Sequence, residues 1–264
     1  MIDPGPMQWK TLTVERNGAI ARVWLDRPQC RNALNTNALE EIVEVFESFQ
    51  ADFSTRVVIL GGRGPSFCAG ADRNDPPGSA RMAGASAATP RERRWYAQLG
   101  RRALQAIENL EAITIARLHG HAIGGGAVLP LGCDLRVAAE GTIFSIPEVD
   151  LGLPLTWGAT GRLLREVGAA RARELILLCD RFDAQQAERW GLINRCVPQD
   201  QLDATVNEWA ERIAAKPELA VHMAKTQFRA YAASVVLGDP SEMDGDLLMA
   251  AGRSAAARKS FQRS

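Results

Sequence analysis

Glu148 is the side chain of this sequence best placed for acid/base chemistry. It lies between Pro147 and Val149 in the apolar stretch 144–155, FSIPEVDLGLPL. An apolar setting removes water from a carboxyl group and raises its pKa towards the range of a general acid/base. Asp150 would share a face with Glu148 in an extended chain, so a carboxylate pair is one interpretation. We favour the other interpretation, an ion pair between Asp150 and a nearby arginine such as Arg162.

A run of three glycines, Gly124 to Gly126, precedes an apolar segment that has helical character. A glycine turn at a helix N-terminus presents unpaired N–H groups and the positive end of the dipole, which would stabilise an oxyanion. Its spacing matches neither the dinucleotide fingerprint nor the phosphate P-loop. His119 and His121 precede the turn. We interpret both as structural and keep His121 as an accessory acid/base candidate.

A third segment, FCAGAD at residues 67–72, combines small residues with one glycine, which lets backbone N–H groups approach a ligand closely. Alone it indicates only a turn. It follows the apolar run 57–60 and precedes residues 73–94, a stretch rich in Pro, Gly, Ala, Ser and Arg. Its length and composition predict a long, mobile surface loop that could act as a lid.

The elements that must position these segments alternate between strand and helix, which predicts an α/β fold with parallel βαβ units. Asn37 and Glu40 predict a capping box for the helix 38–53, and Asp183 and Gln186 predict one for a helix that runs to residue 190. The predicted strands are 20–25, 57–60, 113–118, 135–138, 142–146 and 192–197. Further helices are predicted up to 107 and at 171–178, 201–215 and 217–236.

Composition excludes several classes of protein. Lys plus Arg and Asp plus Glu both total 31, so the formal net charge is +0 and no basic surface for nucleic acid is expected. No apolar run reaches the length of a membrane span, and the N-terminus lacks the layout of a signal peptide. The five cysteines are scattered, which predicts reduced thiols in a cytoplasmic protein and no metal site.

Five segments taken in chain order resemble the crotonase superfamily, the enoyl-CoA hydratase/isomerase family, over almost the whole chain. The segments are DRPQCRNAL at 26–34, FCAGAD at 67–72, HGHAIGGG at 119–126, IPEVDLGL at 146–153 and LCDRFDAQQAERWGLINRCVP at 178–198. The resemblance implies a crotonase-like spiral of stacked ββα units at residues 1–199. Residues 200–264 would form a C-terminal helical trimerisation region, giving a homotrimer or a dimer of trimers.

The resemblance also implies roles for particular residues. The carbonyl of a coenzyme A (CoA) thioester would accept hydrogen bonds from the amides of Ala71 and Gly125, and Glu148 would be the acid/base. CoA enters as part of the substrate, with no separate cofactor. The residues expected to bind the CoA thioester are Ala33, Leu34, Ala69, Gly70, Asp72 and Gly124.

Two positions depart from the family pattern. Hydratases of the family carry a first glutamate where this chain has Val128, and dienoyl-CoA isomerases carry an aspartate where it has Thr156. One carboxyl group suffices to move a double bond, so we expect an isomerase that uses Glu148 alone. Two alternatives stay open. One is a hydratase, hydrolase or lyase whose second group is Asp150, a histidine or the lid, and the other is a catalytically weak acyl-CoA-binding scaffold.

Overall fold

A computed structural model describes residues 9–78, 89–234 and 240–253 as a mixed α/β fold. The strands are β1 Leu12–Asn17, β2 Ile20–Leu25, β3 Val57–Gly62, β4 Ile113–Leu118, β5 His121–Ile123, β6 Leu135–Ala139, β7 Ile143–Ser145, β8 Phe182–Asp183 and β9 Arg195–Val197. The helices are α1 Thr36–Ser48, α2 Pro90–Ala97, α3 Leu99–Asn109, α4 Gly125–Val128, α5 Ala159–Leu178, α6 Ala184–Arg189, α7 Leu202–Ala214, α8 Glu218–Ser234 and α9 Asp244–Gly252.

The strands form two sheets. The larger has the order β1-β2-β3-β4-β6-β9, in which β1 runs antiparallel to β2 and every other pair is parallel. The smaller has the order β5-β7-β8, with β5 and β7 parallel. After β4 the chain crosses between the two sheets, from β4 to β5, from β5 to β6, from β6 to β7 and from β8 to β9. This brings the residues that follow β3, β5 and β7 close together.

Both faces of the larger sheet are covered. In β3, Val58 and Leu60 belong to a large core with α1 and α3, while Val57 and Ile59 pack in a smaller core under α7. Successive side chains of a strand point to opposite faces, so a strand covered on both sides has a continuous apolar sequence. The prediction that 57–60 is a fully buried strand is confirmed.

Two helix starts differ from the predicted ones. The capping box of Asn37 with Glu40 is wrong: α1 begins at Thr36, and the side chain of Asn35 accepts the Ala38 amide at 2.9 Å. Asn35 has the extended backbone of a capping residue, whereas Asn37 already lies inside the helix. The helix predicted at 171–178 is only the second part of α5, which Gly168 interrupts with a φ of 74°.

Residues 73–94 are not one continuous loop. Thr89 and Glu92 form a reciprocal capping box that starts α2 at Pro90. The structure does not describe residues 79–88, so the predicted mobility of the segment lies largely outside the described residues. Helix α2 packs against α9, which is more than a hundred residues away in sequence. The start of this helix was nevertheless signalled locally, by Thr89 and Glu92 at capping-box spacing and by Pro90 at the first helical position.

The C-terminal part is helical, as predicted, with α7, α8 and α9 among the described residues. No described helix is both long enough and apolar enough to cross a membrane. A buried lysine fastens α8 to the sheet. The Lys225 side chain is 2% exposed, and its Nζ donates to the Ala112 carbonyl at 2.8 Å and to Asp134 Oδ2 at 2.7 Å. The same Asp134 oxygen accepts the amide and the hydroxyl of Thr114.

Replacing Lys225 by Met is expected to lower the free energy of unfolding by about 2 kcal/mol, because the partly buried Asp134 carboxylate loses a charged partner while Thr114 still donates to it. Urea denaturation at fixed protein concentration measures the loss. Arg212→Met is the control, since Arg212 pairs with Glu208 on an exposed surface and should change stability by less than about 0.5 kcal/mol. Equal effects of the two substitutions would contradict the anchoring role.

Candidate active site

Two glycine-containing segments, 68–71 after β3 and 122–126 around the end of β5, lie directly against each other. The Ile123 amide donates to the Cys68 carbonyl at 3.1 Å. A Cβ atom on Gly126 would lie only 2.4 Å from that carbonyl oxygen. The glycine is therefore required by the close approach of two backbones. This contact fixes where the amides of both segments point.

The backbone amides of Ala71 and Gly125 donate to no acceptor among the described residues. Gly125 is the first residue of α4, where no carbonyl lies one turn earlier to accept its N–H. Ala71 lies opposite Leu34 in an isolated bridge, but the bonds there run from Leu34 to the Gly70 carbonyl and from Asp72 to the Leu34 carbonyl. Both free N–H groups can therefore stabilise negative charge on a ligand oxygen.

Glu148 follows β7 and begins a turn, closed by a bond from the Leu153 amide to the Glu148 carbonyl at 2.9 Å. One side of its carboxyl group faces the glycine turn, because a Cβ on Gly124 would lie 2.9 Å from Oε1. Oε2 is buried without a hydrogen-bond partner among the described residues. Burial raises the pKa of Glu148 to about 7. The group can therefore both take and return a proton near neutral pH.

A cavity of about 490 Å³ joins Ala71, Gly125 and Glu148. Most of the other lining side chains are apolar, and among the described residues that line the cavity only Glu148 carries a carboxyl group. The apolar lining residues include Ile123, Val128, Pro147, Leu151, Leu153, Pro154, Leu155, Trp157, Leu248 and Met249. An apolar acyl chain and a single titrating carboxyl group fit this cavity.

The structure brings together only part of the predicted thioester-binding set. Ala69, Gly70 and Gly124 line the cavity, whereas Ala33, Leu34 and Asp72 are buried and are not among its lining residues. Arg27 connects this second group: it donates to the Ala33 carbonyl at 2.5 Å and pairs with Asp72 at 2.9 Å. Asp72 therefore holds the two loops together in this structure.

Neither accessory candidate reaches the cavity. The chain turns at residue 148, so Asp150 is exposed and does not share a face with Glu148. The suggested partner, Arg162, is also wrong, because Arg162 pairs with Glu108 on α3. The His121 ring contacts the Ser66 hydroxyl at 3.0 Å, outside the lining set. Backbone hydrogen bonds of the turn, not the two-residue alternation of a strand, set the direction of Asp150.

Sequence reasoning missed a wall of the cavity. Tyr96 and Gly100 come from α2 and α3, and Leu248 and Met249 come from α9. Trp157 completes the wall with a left-handed backbone, at a φ of 63°. A non-glycine residue rarely adopts this conformation, and nothing local in Thr156-Trp157-Gly158 indicates it beyond the glycine that follows.

The raised pKa of Glu148 predicts a pH-dependent stability. The folded protein holds this proton more tightly than the unfolded chain, whose pKa is 4.5. The contribution to stability is therefore complete below about pH 4.5 and is lost as the pH rises through about 7. Glu148→Gln should be more stable than wild type at pH 8, by up to about 3 kcal/mol, and equally stable at pH 4.5.

Denaturation curves at the two pH values measure this difference. Asp150→Asn is the matched control, because its carboxyl group is exposed two residues away. It should leave the pH dependence unchanged. A Glu148→Gln variant that is no more stable than wild type at pH 8 would show that the carboxyl group is solvated.

Comparisons with known proteins show the family to which the chain is similar. A model of the enoyl-CoA hydratase/isomerase family matches residues 15–263. A crotonyl-CoA hydratase from Syntrophomonas wolfei is 36% identical over 220 residues, covering 83% of this chain and 81% of that protein. The crystal structure of an enoyl-CoA hydratase/isomerase from Pseudoalteromonas atlantica T6c has a TM-score of 0.82 at 27% identity and covers 96% of each chain. A monofunctional enoyl-CoA isomerase from M. smegmatis has a TM-score of 0.70 at 27% identity, covering 88% of this chain and 98% of that one.

Proposed function

The chain belongs to the enoyl-CoA hydratase/isomerase family, and we propose that it is an enoyl-CoA isomerase with Glu148 as its single acid/base. One observation carries the proposal: among the described residues of the cavity, Glu148 alone has a carboxyl group. Val128 lines the cavity at the position where hydratases of the family carry a second one. Hydration needs one group to activate water and another to deliver a proton, whereas isomerisation needs one group that does both.

In the proposed reaction, the thioester oxygen of a 3-enoyl-CoA accepts hydrogen bonds from the amides of Ala71 and Gly125. Glu148 removes a proton from carbon 2, and the electrons move into the thioester as a dienolate. The two amides stabilise the charge on its oxygen, each by about 3 kcal/mol. Glu148 then returns the proton to carbon 4, which leaves the double bond between carbons 2 and 3. The substrate supplies the CoA group, and the mechanism uses no further cofactor.

Incubation with 2-enoyl-, 3-enoyl- and aromatic acyl-CoAs, followed by mass spectrometry and NMR, tests the proposal. An isomerase converts the 3-enoyl thioester into a 2-enoyl product of equal mass. In heavy water it exchanges the carbon 2 proton or transfers it to carbon 4. The corresponding free acids are the control and should bind more weakly, because they lack the CoA contacts. A product heavier by one water, formed from the 2-enoyl-CoA, would contradict the isomerase assignment.

Hydration is the second candidate function. The similarity to a crotonyl-CoA hydratase at 36% identity favours it. In that case a group other than Val128 must align water against the substrate. Since Asp150 and His121 lie outside the lining set, that group would be a non-carboxyl side chain of the cavity wall, such as Tyr96, or would come from another subunit. The product masses from the same experiment separate the two functions.

We further propose that the protein is a homotrimer or a dimer of trimers. Helix α8 leaves four large side chains exposed, Leu219, Met223, Phe228 and Tyr231, of which Phe228 is 71% exposed. Such an apolar surface is typical of an interface between subunits. Light scattering at micromolar concentration should give a trimer or hexamer, and Phe228→Glu should shift it towards the monomer. Phe53→Glu, on an exposed residue before β3, is the control. A monomeric wild type would contradict the proposal.

A further inference from the structure

The ring of Trp157 packs between Gly100 of α3 and Gly125, the residue whose amide faces the cavity. A Cβ atom on Gly100 of α3 would lie 1.9 Å from Trp157 Cε2 and 2.2 Å from its Nε1. A Cβ on Gly125 would lie 2.8 Å from Cη2 and Cζ3 of the same ring. The pyrrole part of the indole thus packs against α3, and the edge of its six-membered ring packs against the glycine turn. Any movement of the ring changes the space available to Gly125.

The backbone of Trp157 has an unfavourable conformation, and hydrogen bonds on both the amide and the carbonyl of the next residue, Gly158, hold it there. Its φ of 63° is followed by 72° at Gly158, so two consecutive residues are left-handed. The Gly158 amide donates to Asp244 Oδ2 at 2.5 Å, and the Gly158 carbonyl accepts Arg162 Nη1 at 2.8 Å. Arg162 also pairs with Glu108 on α3, the helix that carries Gly100. The turn is therefore attached to α9 through Asp244 and to α3 through Arg162.

Asp244 is the first residue of α9, and α9 is itself well anchored. Asp246 pairs with Arg94 of α2 at 3.1 Å. Gly245 packs so closely that a Cβ there would lie 2.9 Å from Gln98 Nε2. These contacts fix the position of α9 and therefore the position of Asp244 at its N-terminus. A continuous set of contacts therefore runs from α9 through Asp244, Gly158 and Trp157 to Gly125.

We propose that Trp157 is a positioning residue that fixes the Gly125 amide for the thioester oxygen, and that α9 holds Trp157 in place through Asp244. The inference rests on the proposed function, because it requires the Gly125 amide to act on a thioester. It adds that the C-terminal helix contributes to the oxyanion site through this contact as well as lining the cavity. Trp157 also lines the acyl cavity, so the polarisation of the carbonyl is the readout that separates positioning of the amide from packing against the acyl chain.

The test measures the carbonyl stretch of a bound, isotopically labelled saturated acyl-CoA by infrared difference spectroscopy. In wild type the stretch should lie below its value in water, and in Trp157→Ala it should move back towards that value. Turnover of the 3-enoyl-CoA should fall roughly 10- to 100-fold, the usual effect of misplacing one donor. The affinity for a CoA thioether, which has no carbonyl oxygen, reports only the loss of the Trp157 ring from the cavity wall, and it should fall much less than turnover does.

Gly100→Ala provides a test that keeps the tryptophan. Its methyl group pushes the ring towards Gly125, so the carbonyl stretch and turnover should change as in Trp157→Ala. In the Trp157→Ala background the same substitution should have little further effect, because the ring is gone. Independent, additive effects would overturn the proposal, and Gly100→Ala decides the question alone if Trp157→Ala does not fold.

Asp244 variants test the role of α9. Asp244→Ala should reproduce the loss of polarisation, whereas Asp244→Asn should retain it, since its amide oxygen still accepts the Gly158 N–H. Leu247→Ala, which truncates an exposed side chain of α9 outside the cavity lining, is the control and should behave as wild type. An unchanged stretch in both Trp157→Ala and Asp244→Ala would overturn the positioning role. A wild-type complex without any lowered stretch would instead overturn the proposed function.

Discussion

Glu148→Gln is expected to lower the turnover of a 3-enoyl-CoA by roughly 10²- to 10⁴-fold, the usual contribution of a positioned acid/base. Gln has nearly the shape of a protonated Glu but cannot take the carbon 2 proton. Binding of the thioester should persist, because it depends on the Ala71 and Gly125 amides and on the apolar walls. Steady-state kinetics and calorimetry separate the two effects. Asp150→Asn, which alters an exposed carboxyl group two residues away, should keep wild-type turnover.

The pH profile adds a second readout of the same group. Only the ionised carboxylate can remove a proton, and burial raises the pKa of Glu148 to about 7. The value of kcat/KM should therefore rise as the pH increases through about 7 and level off above it. In Glu148→Gln this titration should be absent. Equal turnover by wild type and Glu148→Gln on every substrate would show that Glu148 is structural and would refute the mechanism.

The parts of the site that the sequence predicted are the local ones. Short segments of sequence show the glycines around 70 and at 124–126 and the apolar setting of Glu148. Close backbone approach and desolvation depend on the residue types next to each position, so both can be predicted locally. The fold class followed from the alternation of strands and helices. The predicted capping box of Asp183 with Gln186 is confirmed at the start of α6. Each of these features depends on residues only a few positions apart.

The parts that the sequence did not predict depend on contacts between distant segments. Trp157 packs on Gly100, and α9 supplies Leu248 and Met249 to the cavity. Helix α2 is an exception, because Thr89 and Glu92 signal its start locally and the prediction overlooked them. The predicted direction of the Asp150 side chain was wrong because the chain forms a turn after Glu148. The prediction assumed an extended strand, in which every second side chain shares a face. No pattern within one segment specifies a partner that lies fifty or more residues away.

Val128→Glu is expected to change the reaction itself. Val128 is 2% exposed, lines the cavity and ends α4, the short helix that begins at Gly125. A glutamate there would place a second carboxyl group near Glu148, so one group could activate water while the other delivers a proton. Hydration of a 2-enoyl-CoA should then increase over wild type, with a product heavier by one water. The isomerase activity should fall, because the added side chain occupies part of the acyl cavity.

The same substitution should lower the free energy of unfolding by about 3 kcal/mol at neutral pH, because it removes a buried valine and desolvates a polar group. Two carboxyl groups so close cannot both ionise readily, so one pKa should rise further. The stability loss should then grow as the pH increases through that raised pKa.

Val128→Gln separates the two consequences of Val128→Glu. It has similar size and polarity but cannot ionise, so it should lose similar stability at low pH and gain no hydratase activity. If Val128→Glu and Val128→Gln hydrate the 2-enoyl-CoA equally, the second carboxyl group is not what the cavity lacks. If wild type already hydrates it as fast as Val128→Glu, the single-carboxyl mechanism is wrong. A gain confined to Val128→Glu that Glu148→Gln abolishes would establish that position 128 decides between moving a double bond and adding water to it.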